Sequence, residues 1–153
     1  ASEIIALAGL WDLNGGTDDS QVRGVDSTES VQAAQGAAIS LAKWTEGAVA
    51  VSGKTDLVTD GTIVAYSHGG SDFMEKVTGC GCSLGGVAAV YATAATPFIA
   101  ALTATSVYNL AGKRAEQSVS APGSFQVAFI DELYLATPEA IANNAFEIVE
   151  ALV

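Results

Sequence analysis

The residues best placed to do chemistry lie in one short run, Val77-Thr78-Gly79-Cys80-Gly81-Cys82. The run opens an uncharged stretch with helical character. Glycine at such a junction lets the backbone approach a ligand closely, because it carries no Cβ. The first N–H groups of a helix lack intrahelical partners, and with the positive end of the helix dipole they form an anion site. A thiol in the first turn, where Cys82 falls, sits where its pKa is typically lowered from about 8.5. Such a group accepts a proton from a substrate hydroxyl as that oxygen attacks a phosphoryl group. Phosphoryl transfer otherwise depends mainly on positioning and charge stabilisation. The run admits two plainer readings. One is a Gly-rich helix start with two small buried cysteines. The other is a Cys-x-Cys metal site, for which His68, the only histidine, is the sole obvious nitrogen ligand, short of the usual four-ligand set.

The bulk properties narrow the field. The chain has 153 residues, half of them hydrophobic and 15% charged, which suits one domain with a sizeable core and argues against disorder. The net charge is −11, from 17 acidic and 6 basic side chains. Beyond Lys113-Arg114 there is no basic cluster, so a surface that tracks nucleic-acid phosphates is not expected. An anionic substrate such as ATP remains open, since backbone N–H groups and a metal commonly hold phosphates. Cys80 and Cys82, one residue apart, cannot staple a fold, and with no signal peptide visible a cytoplasmic location is the default. From Val77 to Gly112 no residue is charged, a run longer than the roughly 20 needed to span a bilayer. Gly79, Gly81, Gly85, Gly86 and Pro97 break it, so two buried helices joined near residues 95–97 explain it better than a membrane span.

The elements that must position the run read as follows. Ser2–Leu10 reads as a short helix and Trp11–Gly24 as a polar, Gly-rich loop. Asp26-Ser27-Thr28-Glu29 resembles a capping box, predicting a helix to about Trp44 with an apolar stripe of Val31, Ala34, Ala38, Leu41 and Ala42. The apolar run 48–51 predicts an interior parallel strand. Asp56–Thr59 and Thr62–Ser67, joined by Asp60-Gly61, predict a hairpin. Helices are expected over about 82–94, from Thr96-Pro97 to near Gln117, over 124–135, and after Thr137-Pro138-Glu139. Strands followed by packed helices indicate an α/β layered domain.

The run 77–82 resembles the phosphate-site motif of hydroxyethylthiazole kinases, members of the ribokinase-like fold. Most sugar kinases of that fold carry Asp where this sequence has Cys82; cysteine there is characteristic of the thiazole kinases. The resemblance extends through Ala1-Ser2-Glu3-Ile4, Arg23-Gly24-Val25-Asp26-Ser27, Val49-Ala50-Val51-Ser52-Gly53 and Pro122-Gly123-Ser124-Phe125, in family order over essentially the whole chain. It implies the C-terminal part of a ribokinase-like three-layer sandwich, with a mixed sheet and packed helices. It also implies ATP-dependent phosphorylation of the hydroxyl of 4-methyl-5-(2-hydroxyethyl)thiazole in thiamine metabolism, with ATP and Mg2+. By the same resemblance Cys82 is the catalytic base, and Gly79 touches the substrate near its reacting hydroxyl. Thr78, Gly79, Cys80 and Gly81 hold the phosphate, and Ser52 contacts ATP. Glu3 is the last residue of an Asn-x-x-Glu motif that helps place magnesium, a hard cation bound mostly through water, phosphate and one or two carboxylates.

Each of these residues has a plainer role. Ser52 can cap a strand end, Glu3 can be a helix charge favoured by the dipole, and Asp26 can be a helix cap. Phe125, Phe129 and Tyr134 read as core, and Trp11 and Trp44 carry no functional role. The family's Asn would stand immediately before Ala1, and the family's N-terminal portion, with much of the thiazole pocket and the first strands of the sheet, is absent. Ala121 replaces the more usual Gly before Pro122. The expected partners are therefore that N-terminal portion and other copies of the subunit, since family members are typically trimers. Two alternatives remain: a non-catalytic nucleotide-binding or assembly fragment, and a kinase of the same fold for another small alcohol, such as a pyrimidine or a sugar.

Overall fold

The structure, a computed structural model, describes residues 1–13, 16, 22–23, 26–27 and 31–151. They form two compact units, Ala1–Tyr66 with Glu147–Val153, and Ser67–Phe146. The first unit holds helices α1 (Ser2–Gly9) and α2 (Gln35–Thr45) and strands β1 (Val22–Arg23), β2 (Asp26–Ser27), β3 (Val49–Val51) and β4 (Thr55–Thr59). It also holds most of β5 (Ile63–His68) and β6 (Phe146–Glu150).

Helix α1 forms where its pattern places it, but α2 starts later than the capping box implies. Asp26 and Ser27 pair antiparallel with Val22 and Arg23, residues 31–34 form a turn, and Ala34 is an N-cap without a side-chain hydrogen bond. Thr28 and Glu29, like most of the expected loop before β1, lie outside the described residues. The apolar stripe itself is correct: Val31, Ala34, Ala38, Leu41 and Ala42 are all buried. Val31, Ala34, Ala38 and Leu41 join Ile5, Ala8, Val51, Leu57 and Val64 in one core. The small side chains let α2 lie close to the sheet.

The sheet has the order β3-β4-β5-β6. Val49, Ala50 and Val51 of β3 face Thr59, Val58 and Leu57 of β4 in antiparallel register. The run 48–51 is thus not an interior parallel strand among the described residues. Its described neighbour is antiparallel, and Ala50 is exposed, so an unbroken apolar run here did not mean burial on both faces. The hairpin of β4 and β5 forms as expected. Strand β6 runs antiparallel beside β5, the Ala151 N–H donating to the Thr62 carbonyl (2.9 Å) and the His68 N–H to that of Ala145 (3.4 Å). All its side chains are exposed, so no buried stripe announces it in the sequence.

The second unit is helical: a 3-10 turn at Met74–Lys76, then α3 (Cys80–Tyr91), α4 (Pro97–Ser118), α5 (Pro122–Leu135) and α6 (Pro138–Ala142). Proline stands at the start of the last three, where its missing N–H costs nothing. Thr137 caps α6 by accepting the Ala140 N–H at 3.2 Å, whereas Thr96 makes no side-chain cap bond. Helix α4 is the buried spine. Val107, Tyr108, Ala111 and Ala115 pack with Cys80, Phe125 and Phe129. Phe125 and Phe129 stack at 5.8 Å, and Tyr108 meets Phe129 edge-on at 5.2 Å. Tyr134, expected in this core, is instead 89% exposed. It lies five residues beyond Phe129, off the inward stripe, and shares the outward face of α5 with Val127 and Ile130.

The chain between β5 and α3 is pinned along α4. The Gly70 N–H donates to the Asn109 carbonyl (3.1 Å), and the Asn109 Nδ2 donates to the Ser67 Oγ (2.9 Å). A Cβ on Gly112 would stand 2.7 Å from the Met74 sulfur and 3.1 Å from the Gly70 Cα, so only glycine allows this approach. Among the described residues no helix is long and apolar enough to cross a membrane.

The hairpin turn carries a testable charge. Asp60 accepts the Thr62 N–H (2.8 Å), the Thr62 hydroxyl (2.8 Å) and the Ile63 N–H (2.9 Å) through one oxygen. Desolvation opposes its charge, but these donors outweigh it and hold the carboxyl below its ordinary value of 3.8. Asp60→Ala is expected to cost about 1 kcal/mol in urea unfolding, the low end for such bonds because solvent reaches the group. A lowered carboxyl pKa means that this contribution is complete above the ordinary value and is lost as pH falls through the folded one. The gap between variant and parent should therefore close in strong acid.

Candidate functional site

Helix α3 begins inside the run singled out by sequence. Gly79 is its N-cap, in the left-handed region at φ 87°, ψ −9°. The Cys80 N–H donates to the Val77 carbonyl (3.1 Å) and the Ser83 N–H to the Gly79 carbonyl (3.0 Å). Between them, the N–H groups of Gly81 and Cys82 meet no backbone acceptor among the described residues; they are the orphan donors of a helix start. Thr78, Gly79, Gly81 and Cys82 are all exposed, and a Cβ at either glycine would have no neighbour within 4 Å. The donors thus face open space at the positive end of a helix of 12 residues, an arrangement that suits an anion.

The two cysteines part company because two helical residues are about 200° apart. Cys80 shares a side with Leu84, Val87 and Tyr91 and is 5% exposed within the α4–α5 core. Burial pushes its thiol above the ordinary 9.0, so at neutral pH it is a protonated packing group. Cys82 stands on the opposite, exposed side. The reading of two buried cysteines therefore holds for Cys80 alone. The thiols do not form a chelating pair, and no group of three His, Cys, Asp or Glu gathers around an ion position among the described residues.

Beside the run lies an open cleft of ≈ 280 Å³, lined by Lys76, Val77, Thr78, Pro122, Gly123 and Gln126. Two of the sequence segments picked out for their family resemblance, 77–82 and 122–125, thus meet at one surface. Lys76 and Gln126 were not legible as site residues. Lys76 is the cation nearest the run in sequence, which was the available signal; Gln126 gave none.

A sequence model of the hydroxyethylthiazole kinase family matches residues 1–139. The chain belongs to that family. The hydroxyethylthiazole kinase of Bifidobacterium longum (strain DJO10A) is 46% identical over 162 residues, covering 94% of this chain and 52% of that protein. The hydroxyethylthiazole kinase of Cereibacter sphaeroides (strain ATCC 17023) is 41% identical, covering 95% and 52%. A solved hydroxyethylthiazole kinase structure from Pyrococcus horikoshii OT3 superposes with a TM-score of 0.70 at 26% identity, covering 79% of this chain and 47% of that one. The α/β, ribokinase-like assignment stands on this likeness. The chain spans about half the length of the curated relatives it matches.

Of the family-type positions, Thr78, Gly79, Cys80, Gly81 and Cys82 come together at the start of α3. Glu3 and Ser52 belong to the other unit. Glu3 is an exposed carboxylate in the first turn of α1. Ser52 is exposed just after β3, in a turn closed by the Gly53 N–H donating to Asp56 Oδ1 at 2.9 Å. A Cβ on Gly53 would come within 2.5 Å of the Val31 side chain, so glycine holds that turn against the core.

The glycines of the run should respond oppositely to alanine. Gly79→Ala puts a side chain in the left-handed region and is expected to cost about 1–2 kcal/mol although no atom obstructs it. Gly81→Ala, inside the helix, is expected to stabilise by about 0.5–1 kcal/mol. Denaturant titration of both variants checks the pair. Equal effects would contradict the assigned cap. The raised Cys80 thiol adds a pH dependence of its own. Its stabilising contribution is complete below the unfolded value of about 9.0 and is lost as pH rises through the folded one. Cys80→Ala should accordingly flatten the alkaline decline of the melting temperature.

Proposed function

We propose that this chain supplies the phosphate cradle and the catalytic base of an ATP-dependent kinase that phosphorylates the hydroxyl of 4-methyl-5-(2-hydroxyethyl)thiazole. The observation that carries this reading is the start of α3, where a left-handed Gly79, two orphan N–H groups and an exposed Cys82 stand together. In the proposed reaction Cys82 takes the hydroxyl proton, the substrate oxygen forms a bond to the terminal phosphorus of ATP, and the bond to the ADP oxygen breaks. The amides of Gly81 and Cys82 stabilise the charge on the transferring group, and Thr78, Gly79 and Cys80 shape the cradle. Gly79, with no Cβ and open space around it, leaves room for the substrate near its reacting hydroxyl.

ATP supplies the phosphoryl group and Mg2+ would offset its charge. The residues present fit both. The α3 donors suit phosphate, and an exposed, single carboxylate at Glu3 suits a cation held mainly by water and phosphate. Ser52, exposed on a turn fixed by Gly53 and Asp56, is assigned to nucleotide contact. This chain would act as one portion of a larger kinase, in the cytoplasm, with the thiazole pocket completed by the rest of the family's length and by neighbouring subunits of a trimer. The exposed Val127, Ile130 and Tyr134 on α5 support a covering partner.

The alternative, a non-catalytic nucleotide-binding or assembly module, would use the same α3 donors without turnover. Release of ADP from ATP, Mg2+ and hydroxyethylthiazole separates the two. It is measured on this chain alone and with the complementary portion of a relative added. The kinase reading expects turnover at least on complementation, with Cys82→Ala reducing it about 100-fold or more, the usual worth of a positioned base. Nucleotide binding without ADP release, with the added portion shown to bind, would leave only the module.

A further inference from the structure

The Tyr108 hydroxyl of α4 reaches across to α3 and donates to Ser83 Oγ at 2.8 Å. Ser83 in turn donates to the Cys80 carbonyl at 2.9 Å. Tyr108 is 3% exposed and wedged edge-on against Phe129, so its hydroxyl has one fixed position. Burial also keeps the phenol protonated by pushing its pKa above the ordinary 10.0, against the smaller lowering effect of Ser83. The acceptor at the end of this chain is the carbonyl of the first residue of α3. Ser83 follows Cys82 directly, and its own N–H is held by the Gly79 carbonyl.

Glycine-rich helix starts fray, because glycine loses more conformational entropy on ordering than other residues. Gly79 and Gly81 flank Cys80, and no side chain caps α3. The two hydroxyls satisfy none of the orphan donors; they tie the first turn to the buried Tyr108 of α4, although Ser83 itself is exposed. A side-chain cap on the outer side would occupy the orphan donors that an anion needs. A strut that ends on the Cys80 carbonyl leaves them free.

We propose that Tyr108 and Ser83 are positioning residues that hold the first turn of α3, and with it the Gly81 and Cys82 N–H groups and the Cys82 side chain, in register for the transferring phosphate. This rests on the kinase reading of the same site and adds the device that pre-organises it. Both are assigned to act through the first turn and not on the reacting atoms.

The test is hydrogen exchange of individual amides in this chain, together with turnover of the complemented enzyme, for Tyr108→Phe, Ser83→Ala and Ser83→Thr. Tyr108→Phe keeps the ring packing and Ser83→Thr keeps a hydroxyl. The proposal expects the amides of Ser83 and Leu84 to exchange about three- to tenfold faster in Tyr108→Phe and Ser83→Ala, the worth of one hydrogen bond, with amides elsewhere in α4 and α5 unchanged. Ser83→Thr should restore the slower exchange. The double variant should lose no more than either single one, because both act through one chain of bonds. Turnover should fall by a similar factor, with the KM for ATP little changed. Unaltered exchange at residues 83 and 84 would overturn the strut. Faster exchange with full turnover in an active enzyme would overturn its role in positioning. Faster local exchange in a protein that shows no thiazole-dependent ADP release before any substitution would support the strut and fail the kinase reading instead.

Discussion

Everything at the candidate site depends on how α3 is rotated about its own axis, and that is set by burial. Cys80, Leu84, Val87 and Tyr91 form a stripe that packs on α4 and α5. Turning the helix by one residue would withdraw these side chains and present glycines to the core, at a loss of roughly 3–6 kcal/mol of apolar burial. Among the described residues nothing packs on the glycines of the outward face. A helix anchored on one side and bare on the other has its N-terminal donors aimed by its hydrophobic side. The same logic runs one layer deeper. Helix α4 is fixed by the close approach of Gly70 and Met74 at Gly112, and by the buried Asn109 and Ser67 pair. The segment that leads into the run 77–82 is thereby placed before α3 begins.

The composition makes this reliance on backbone intelligible. A chain of net charge −11 has few cations to spare. Arg114 already faces Glu132 at 3.7 Å on the surface between α4 and α5, an exposed pair of small energetic worth. Apart from Lys76 in the adjoining cleft, the polar groups that can meet an anion at this surface are N–H groups, hydroxyls and an amide. N–H groups at a helix start carry partial charge without long, floppy side chains, so little entropy is lost on binding. A strongly acidic protein can therefore hold an anion without contradiction.

How much of this was legible from sequence follows from what each signal measures. The hairpin and the Thr-Pro helix starts were legible because Asp60-Gly61, Thr96-Pro97 and Thr137-Pro138 act locally, through dihedrals and a few short bonds. The stripe of α2 was legible because periodicity reports burial. Where α2 begins was not, since pairing of Asp26 and Ser27 with β1 removed the capping residues from the helix. Strand β3 was misread because an apolar run records hydrophobicity and not the direction of a neighbour. Strand β6 has no buried side, so it left no pattern. At the site, the motif was legible because it is one short run; that Cys80 is buried and Cys82 exposed was not, since it follows from which side of α3 meets α4 and α5. Lys76, Gln126 and Tyr108 enter through contacts between elements, which a linear reading does not see.

The outward face of α3 is costly for a helix. Gly81, Gly85 and Gly86 each weaken it by about 1 kcal/mol relative to alanine, and none of the three is needed to avoid a clash. Propensity therefore does not hold α3 together; packing against α4 does, in agreement with the general rule that tertiary contact outweighs intrinsic preference. Helix starts that lack both a cap and good formers are where local opening concentrates. A bare glycine face beginning at exposed donors and an exposed thiol keeps side chains out of the space in front of them. Among the described residues nothing fills that clearance. The stability that the outward face withholds is supplied from behind it by Tyr108, Phe125 and Phe129.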